Sequence, residues 1–191
     1  MILATCAAIL HLGLVQTSIA ESTTTLTEAT NLKGEKYSID LASAKATVIL
    51  FVATDCPVAN RYAPEIERIT KEYKPKGVKV FRIYLDQVED ADEVLSHSKE
   101  FSLTSTPLLD SEQKLVRRLK ALVTPEAFLL LPTGEVAYRG RIDDVNIEHG
   151  KVRENYRRDL RIALDEVLAG KPVSVPETAA IGCLIPPPGS H

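Results

Sequence analysis

Residues 46–58 read Ala46-Thr47-Val48-Ile49-Leu50-Phe51-Val52-Ala53-Thr54-Asp55-Cys56-Pro57-Val58. The first seven are apolar or β-branched and carry no charge, the pattern of a strand buried on both faces. Downstream, Val58, Tyr62, Ile66, Ile69 and Tyr73 recur at helical spacing, which predicts an amphipathic helix stopped by Pro75-Lys76-Gly77. Cys56 stands where the strand hands over to that helix. A thiol there meets backbone N–H groups that have no helical partner and the positive end of the helix dipole. Both favour thiolate and pull the pKa below the free value of about 8.5. Pro57 suits the first helical turn, where its missing N–H costs nothing. Asp55 beside it opposes the shift with a negative charge. A lone cysteine is usually inert packing; its location is what makes Cys56 a candidate nucleophile.

Working outward, Tyr37 to Leu41 alternates as a short strand, and Val78 to Leu85 is a second apolar strand. Glu89 to Phe101 is acidic at its start and carries Lys99 near its end, as a helix dipole prefers. Leu108-Leu109-Asp110 and a short helix around Glu112 to Leu119 follow. Glu126 to Leu131 reads as a strand, Pro132-Thr133-Gly134-Glu135 as a turn, and Val136 to Ile142 as the hairpin partner. Arg153 to Leu168 is a closing helix with Leu160, Ala163, Leu164, Val167 and Leu168 on one face. The order β-α-β-α-(α)-β-β-α opens with a right-handed parallel crossover and closes with an antiparallel hairpin. The fold class is therefore α/β, with a central mixed sheet and helices on both faces.

The chain has 191 residues, 45% hydrophobic and 26% charged, which fits one globular domain and excludes wholesale disorder. A formal net charge of −3 without a basic block gives no nucleic-acid footprint. With no Trp, four Phe and six Tyr, the core rests on aliphatic side chains. None of the 23 basic and 26 acidic residues falls in positions 1–20. The apolar stretch Ile9–Val15 and the small residues of Ser18-Ile19-Ala20 predict a secretory signal peptide over 1–20 and an exported protein, attached to a membrane only if that segment stays uncleaved. Residues 21–31, polar and Thr-rich, read as a flexible leader, 32–170 as the domain, and 171–191 as a Pro-rich tail. After cleavage two cysteines remain, Cys56 and Cys183; they can pair or act separately.

The segment Val123-Thr124-Pro125-Glu126-Ala127-Phe128 resembles that of thioredoxin-fold proteins in which a cis-proline precedes the strand facing the redox cysteine. Val48–Pro57, Thr124-Pro125 and the hairpin ending at Arg139-Gly140-Arg141-Ile142-Asp143-Asp144 match in order and spacing. Together with Cys56-Pro57-Val58-Ala59-Asn60-Arg61-Tyr62, roughly Leu32 to Leu168 is similar to exported bacterial redoxin-domain proteins of the thioredoxin superfamily. The resemblance implies a thioredoxin-like fold, a cis bond at Pro125, and Thr124 and Pro125 beside Cys56 on the substrate side. Pro57, Asn60 and Arg61 are further candidates for lining the thiol's pocket, although Arg61 is equally an exposed charge.

Three departures limit the inference. Ala59 stands where a Cys-x-x-Cys motif has its resolving cysteine. Thr54 lies two residues before Cys56 where peroxiredoxins place theirs three before, and Thr124-Pro125 replaces the peroxide-binding arginine. Asn60 removes the second thiolate of copper-delivery relatives. Cys183 then becomes the natural second partner, in a redox-active pair, a static bond or no bond. The first expectation is an exported thiol–disulfide oxidoreductase, with Cys56 as nucleophile and Cys183 as resolver. It would act on protein or small-molecule thiols and disulfides, with a reducing partner and no cofactor. The alternatives are a thiol peroxidase and a non-catalytic binding module. His97 and His149 are isolated, so no metal site is expected; Arg139, Arg141, Asp143 and Asp144 read as a solvated hairpin end, and Tyr138 as core.

Overall fold

The computed structural model describes residues 24–85, 90–148 and 151–187. The expected signal segment, 1–20, lies outside the described residues. Thr25–Leu26 (β1) pairs antiparallel with Ile39–Asp40 (β2). Thr30 bridges to Lys36 and Leu109, and Leu26 and Ala29 are buried. Residues 24–31 are therefore not a free leader: their two apolar side chains are absorbed by the core despite the polar composition around them.

Ala46–Val52 (β3) runs into the helix Pro57–Tyr73 (α1), a single 3-10 turn at Lys74–Lys76, and the strand Val78–Tyr84 (β4). Gly77 closes that turn with φ +91°, a left-handed conformation that favours glycine. Ala91–Glu100 (α2), Thr106–Leu109 (β5) and Lys114–Leu119 (α3) follow, then Val123–Thr124 (β6), Glu126–Leu130 (β7) and Val136–Gly140 (β8). The chain finishes with the hairpin Asn146–Glu148 (β9) and Lys151–Val152 (β10), the helix Asp159–Leu168 (α4), and the short strand Cys183–Leu184 (β11).

The central sheet has the order β5-β4-β3-β7-β8. β3 pairs parallel with β4 from Ala46–Val78 to Val52–Tyr84, and antiparallel with β7 from Thr47–Leu130 to Phe51–Glu126. Every residue of β3 is buried, as its unbroken apolar run requires. Alternate side chains feed two cores. Ala46, Val48, Leu50 and Val52 pack with the buried stripes of α1 and α4 and with Val94 of α2. Ile49 and Phe51 pack with Leu115, Val116 and Leu119 of α3 and with Leu26, Ile39 and Leu41 of the N-terminal segment.

Besides the short outlying strands, β5, the onset of α4 and the charged hairpin end differ from the sequence expectation. β5 is a third parallel strand, paired with β4; Pro107 masks it in the sequence, and its edge position is where a strand tolerates a missing N–H. α4 begins at Asp159, not Arg153, because residues 153–158 are exposed and bring no apolar stripe. The charged hairpin end is not solvated either: Asp143 and Asp144 are buried. Tyr62 Oη donates to Asp143 at 2.6 Å, while Arg153 and the Arg157 N–H hold Asp144. Tyr138 is core, as expected.

Candidate active site

Cys56 is the N-cap of α1, with extended backbone at φ −81° and ψ 110° and Pro57 directly after it. Its Sγ accepts the Ala59 N–H at 3.4 Å, so a backbone donor that the helix leaves without a partner points at the sulfur. The residue is 1% exposed. A disulfide joins it to Cys183 with the Cα atoms 6.1 Å apart, closing a separation of 127 residues. The Thr124 carbonyl oxygen lies 3.1 Å from Cys56 Sγ. Thr124 is buried and Thr124–Pro125 is a cis peptide bond, so the carbonyl that enters the cis bond stands beside the sulfur.

The tail reaches the site by strand pairing. β11 lies antiparallel to β6, with Cys183 opposite Thr124 and Leu184 opposite Val123, and the Ile185 N–H donates to the Leu122 carbonyl at 3.0 Å. Further back, Arg139 of β8 exchanges backbone bonds with Pro176 and Thr178, and Thr178 Oγ1 lies 2.6 Å from Tyr138 Oη. Cys183 is half-buried where Cys56 is sealed. A groove of about 250 Å³ opens beside it between Ala53, Asp55, Leu85, Thr124, Leu184 and Pro186.

Of the remaining candidates, Pro57 and Arg61 are exposed on α1. Asn60 turns inward. Its Nδ2 donates to the Thr54 carbonyl at 2.8 Å and its Oδ1 is 2.9 Å from His97 Nε2. Because Asn60 spends its N–H on Thr54, its oxygen needs a donor, which assigns the His97 proton to Nε2. His97 Nδ1, 3.0 Å from Tyr84 Oη, is then the acceptor. Arg82 Nη1 donates to the same Tyr84 oxygen at 2.5 Å. Burial, followed by the Arg82 charge, keeps the imidazole below its ordinary pKa. Thr54 Oγ1 also donates to Glu93 at 2.9 Å. Glu93 and His97, one turn apart on α2, thus fix the turn that carries Cys56. His97 reads as isolated in sequence; its three-residue spacing from buried Val94 was the one hint that it faces inward. Among the described residues, no group of three or more His, Cys, Asp or Glu is placed to hold a metal ion, and no helix is long and apolar enough to cross a membrane.

Comparison with known proteins places this geometry. The AhpC/TSA family matches residues 21–139. The chain is 25% identical over 107 residues to the thiol-disulfide oxidoreductase ResA of Bacillus cereus, a match covering 56% of this chain and 61% of that protein. A solved structure of an uncharacterized conserved protein from Geobacillus kaustophilus superposes with a TM-score of 0.75 at 26% identity, over 90% of this chain and 96% of that one. A putative thioredoxin from Neisseria meningitidis superposes with a TM-score of 0.59 at 21% identity, covering 78% and 92%. The fold is thioredoxin-like, an α/β domain built on a mixed five-stranded sheet.

Proposed function

We propose, from the premise that the chain belongs to the AhpC/TSA family, that it is a thiol–disulfide oxidoreductase with Cys56 as nucleophile and Cys183 as resolving cysteine. The observation that carries this is the unequal setting of one disulfide: a cysteine sealed at a helix N-cap, bonded to a less deeply buried cysteine on a strand of the tail. An incoming thiolate reaches Cys183 Sγ more readily than Cys56 Sγ. Attack there breaks the S–S bond and sends the electron pair to Cys56, whose thiolate leaves into the Ala59 N–H and the helix dipole. The second thiol of a reducing dithiol then attacks the mixed disulfide at Cys183, leaving the chain as a dithiol and the reductant oxidised. In the forward direction Cys56 thiolate attacks a substrate disulfide, and Cys183 thiolate releases the product by re-forming the Cys56–Cys183 bond. The similarity to ResA supports the same reaction class. Thr124 and Pro125 shape the substrate side, and Asn60 acts behind the sulfur by holding Thr54. The uncharged segment 1–20 and a disulfide that needs an oxidising compartment support an exported location.

The test is a redox titration of the full chain with thiol counting. Cycling of both cysteines at a potential within the oxidoreductase range of about −120 to −270 mV, with exchange abolished by Cys56→Ser, is the expected result. A potential below about −300 mV would identify a static bond and a binding module. Saturable peroxide consumption in the same sample would move the assignment to a thiol peroxidase.

A further inference from the structure

We propose, resting on the oxidoreductase reading above, that the tail segment Ile181–Ile185 is a built-in substitute for the external partner. The partner is then an extended peptide with glycine directly before its cysteine.

β6 is a two-residue strand outside the central sheet, and β11 is its only strand partner among the described residues. The tail therefore occupies the edge that faces Cys56, and it does so with backbone bonds that any extended chain can make. The side-chain demand comes from the position directly before Cys183. Gly182 does not adopt a left-handed φ, so conformation is not why it is glycine. A Cβ built there would fall well inside contact distance of the Thr124 carbonyl oxygen and carbon, and 3.2 Å from the Pro125 nitrogen. These are backbone atoms beside Cys56, so a side chain at this position lifts the strand and parts the sulfurs. Leu184, after the cysteine, is 82% exposed and Leu122 is 62% exposed. Both border a groove of about 430 Å³ that Val123, Ala179 and Ala180 line together with the charged Glu126, Arg139 and Glu177, so the position after the cysteine sets no comparable side-chain demand. The tail holds to β8 separately, at Pro176–Thr178, so residues 181–185 can leave β6, with the Gln113–Pro186 hydrogen bond parting as they do, while that earlier stretch stays anchored.

The exchange balances. With the chain as a dithiol, Cys56 thiolate attacks the partner's cysteine sulfur in a disulfide, forming a Cys56–partner bond and expelling the other sulfur as thiolate. Cys183 thiolate then attacks Cys56 Sγ, the tail returns to β6, and the partner departs as a thiol. The chain's two thiols supply the two electrons, and an external dithiol restores them.

The test uses the full chain carrying Cys183→Ser and two peptides, Ile-Gly-Cys-Leu-Ile and Ile-Ala-Cys-Leu-Ile. Each cysteine is carried as a mixed disulfide with thionitrobenzoate, whose release reports attack by Cys56. The glycine peptide is expected to react at least ~10-fold faster, the scale of one overpacked contact. Equal rates would overturn the proposal and leave the oxidoreductase reading standing; no reaction with either peptide would remove both. Gly182→Ala in the otherwise native chain is the second arm. Its disulfide is expected to be reduced at a ~10-fold lower dithiothreitol concentration, and an unchanged midpoint counts against the proposal.

Discussion

His97 shows how a single side chain behind the site ties chemistry to stability. In the folded chain burial, and then the Arg82 guanidinium, hold its pKa below the ordinary 6.5, while Glu100 and Glu93 pull the other way. It is therefore neutral when folded, donating from Nε2 to Asn60 and accepting Tyr84 at Nδ1. The unfolded chain binds a proton here near pH 6.5, which the folded chain resists. The stability tied to the neutral ring is thus fully present above about pH 6.5 and is lost as pH falls from there through the lower folded pKa. His97→Gln keeps a donor toward Asn60 and an acceptor toward Tyr84 but cannot titrate. Its thermal midpoint should fall less steeply than the native protein's between about pH 6.5 and pH 5. Parallel pH profiles for the two proteins would show that His97 contributes nothing to acid sensitivity.

The turn Ala53–Asp55 joins β3 to α1 and is held from outside both elements. Thr54 donates its hydroxyl to Glu93 and its carbonyl accepts from Asn60, so α2 and the first turn of α1 together set where Cys56 begins its helix. Asn60→Ala removes the bond to Thr54 and strands the His97 donor. It should lower stability by about 1–3 kcal/mol, the cost of a buried donor left unpaired. It should also slow alkylation of Cys56 in the reduced chain, which chemical denaturation and a timed thiol trap would measure side by side. Loss of stability with an unchanged trapping rate would mean that the turn does not position the thiol. β3 and α1 could be read from the sequence because an unbroken apolar run and a three-four spacing are local patterns. β5 could not, because Pro107 looks like a break until the strand is known to lie at an edge. The onset of α4 is not legible because charges at 153–158 fit a helix surface, while only the apolar stripe beginning at Leu160 fixes where packing starts. The helix-start position of Cys56 and the cis bond at Pro125 are legible from motif and order. Asn60–His97 and the β6–β11 pairing are not, since a hydrogen bond across 37 residues and a two-residue strand leave no periodicity behind.

Across the domain the tail acts as a strap. It leaves α4, lies along the outer edge of β8 through Pro176–Thr178, and crosses to β6, so the last strand of the sheet is not an open edge. Beyond β8 it is held by the Cys56–Cys183 bond, which closes a span of 127 residues, and by Gln113 Nε2 donating to the Pro186 carbonyl. In the chain-entropy treatment a closure of that length stabilises the folded state by about 5 kcal/mol. For a protein of this size that corresponds to a fall of roughly 10–20 °C in thermal midpoint when the bond is absent. Cys183→Ser and Cys56→Ser should each show that fall, and the double variant should show no more, because either change opens the same loop. The native protein under reductant should coincide with them. The decisive comparison is thermal unfolding of these four samples at one pH and one protein concentration. If the reduced native chain kept the midpoint of the oxidised one while both serine variants fell, the loss would belong to the cysteine side chains in their packing, and the strap would owe its hold to β6 and β8 rather than to the covalent bond.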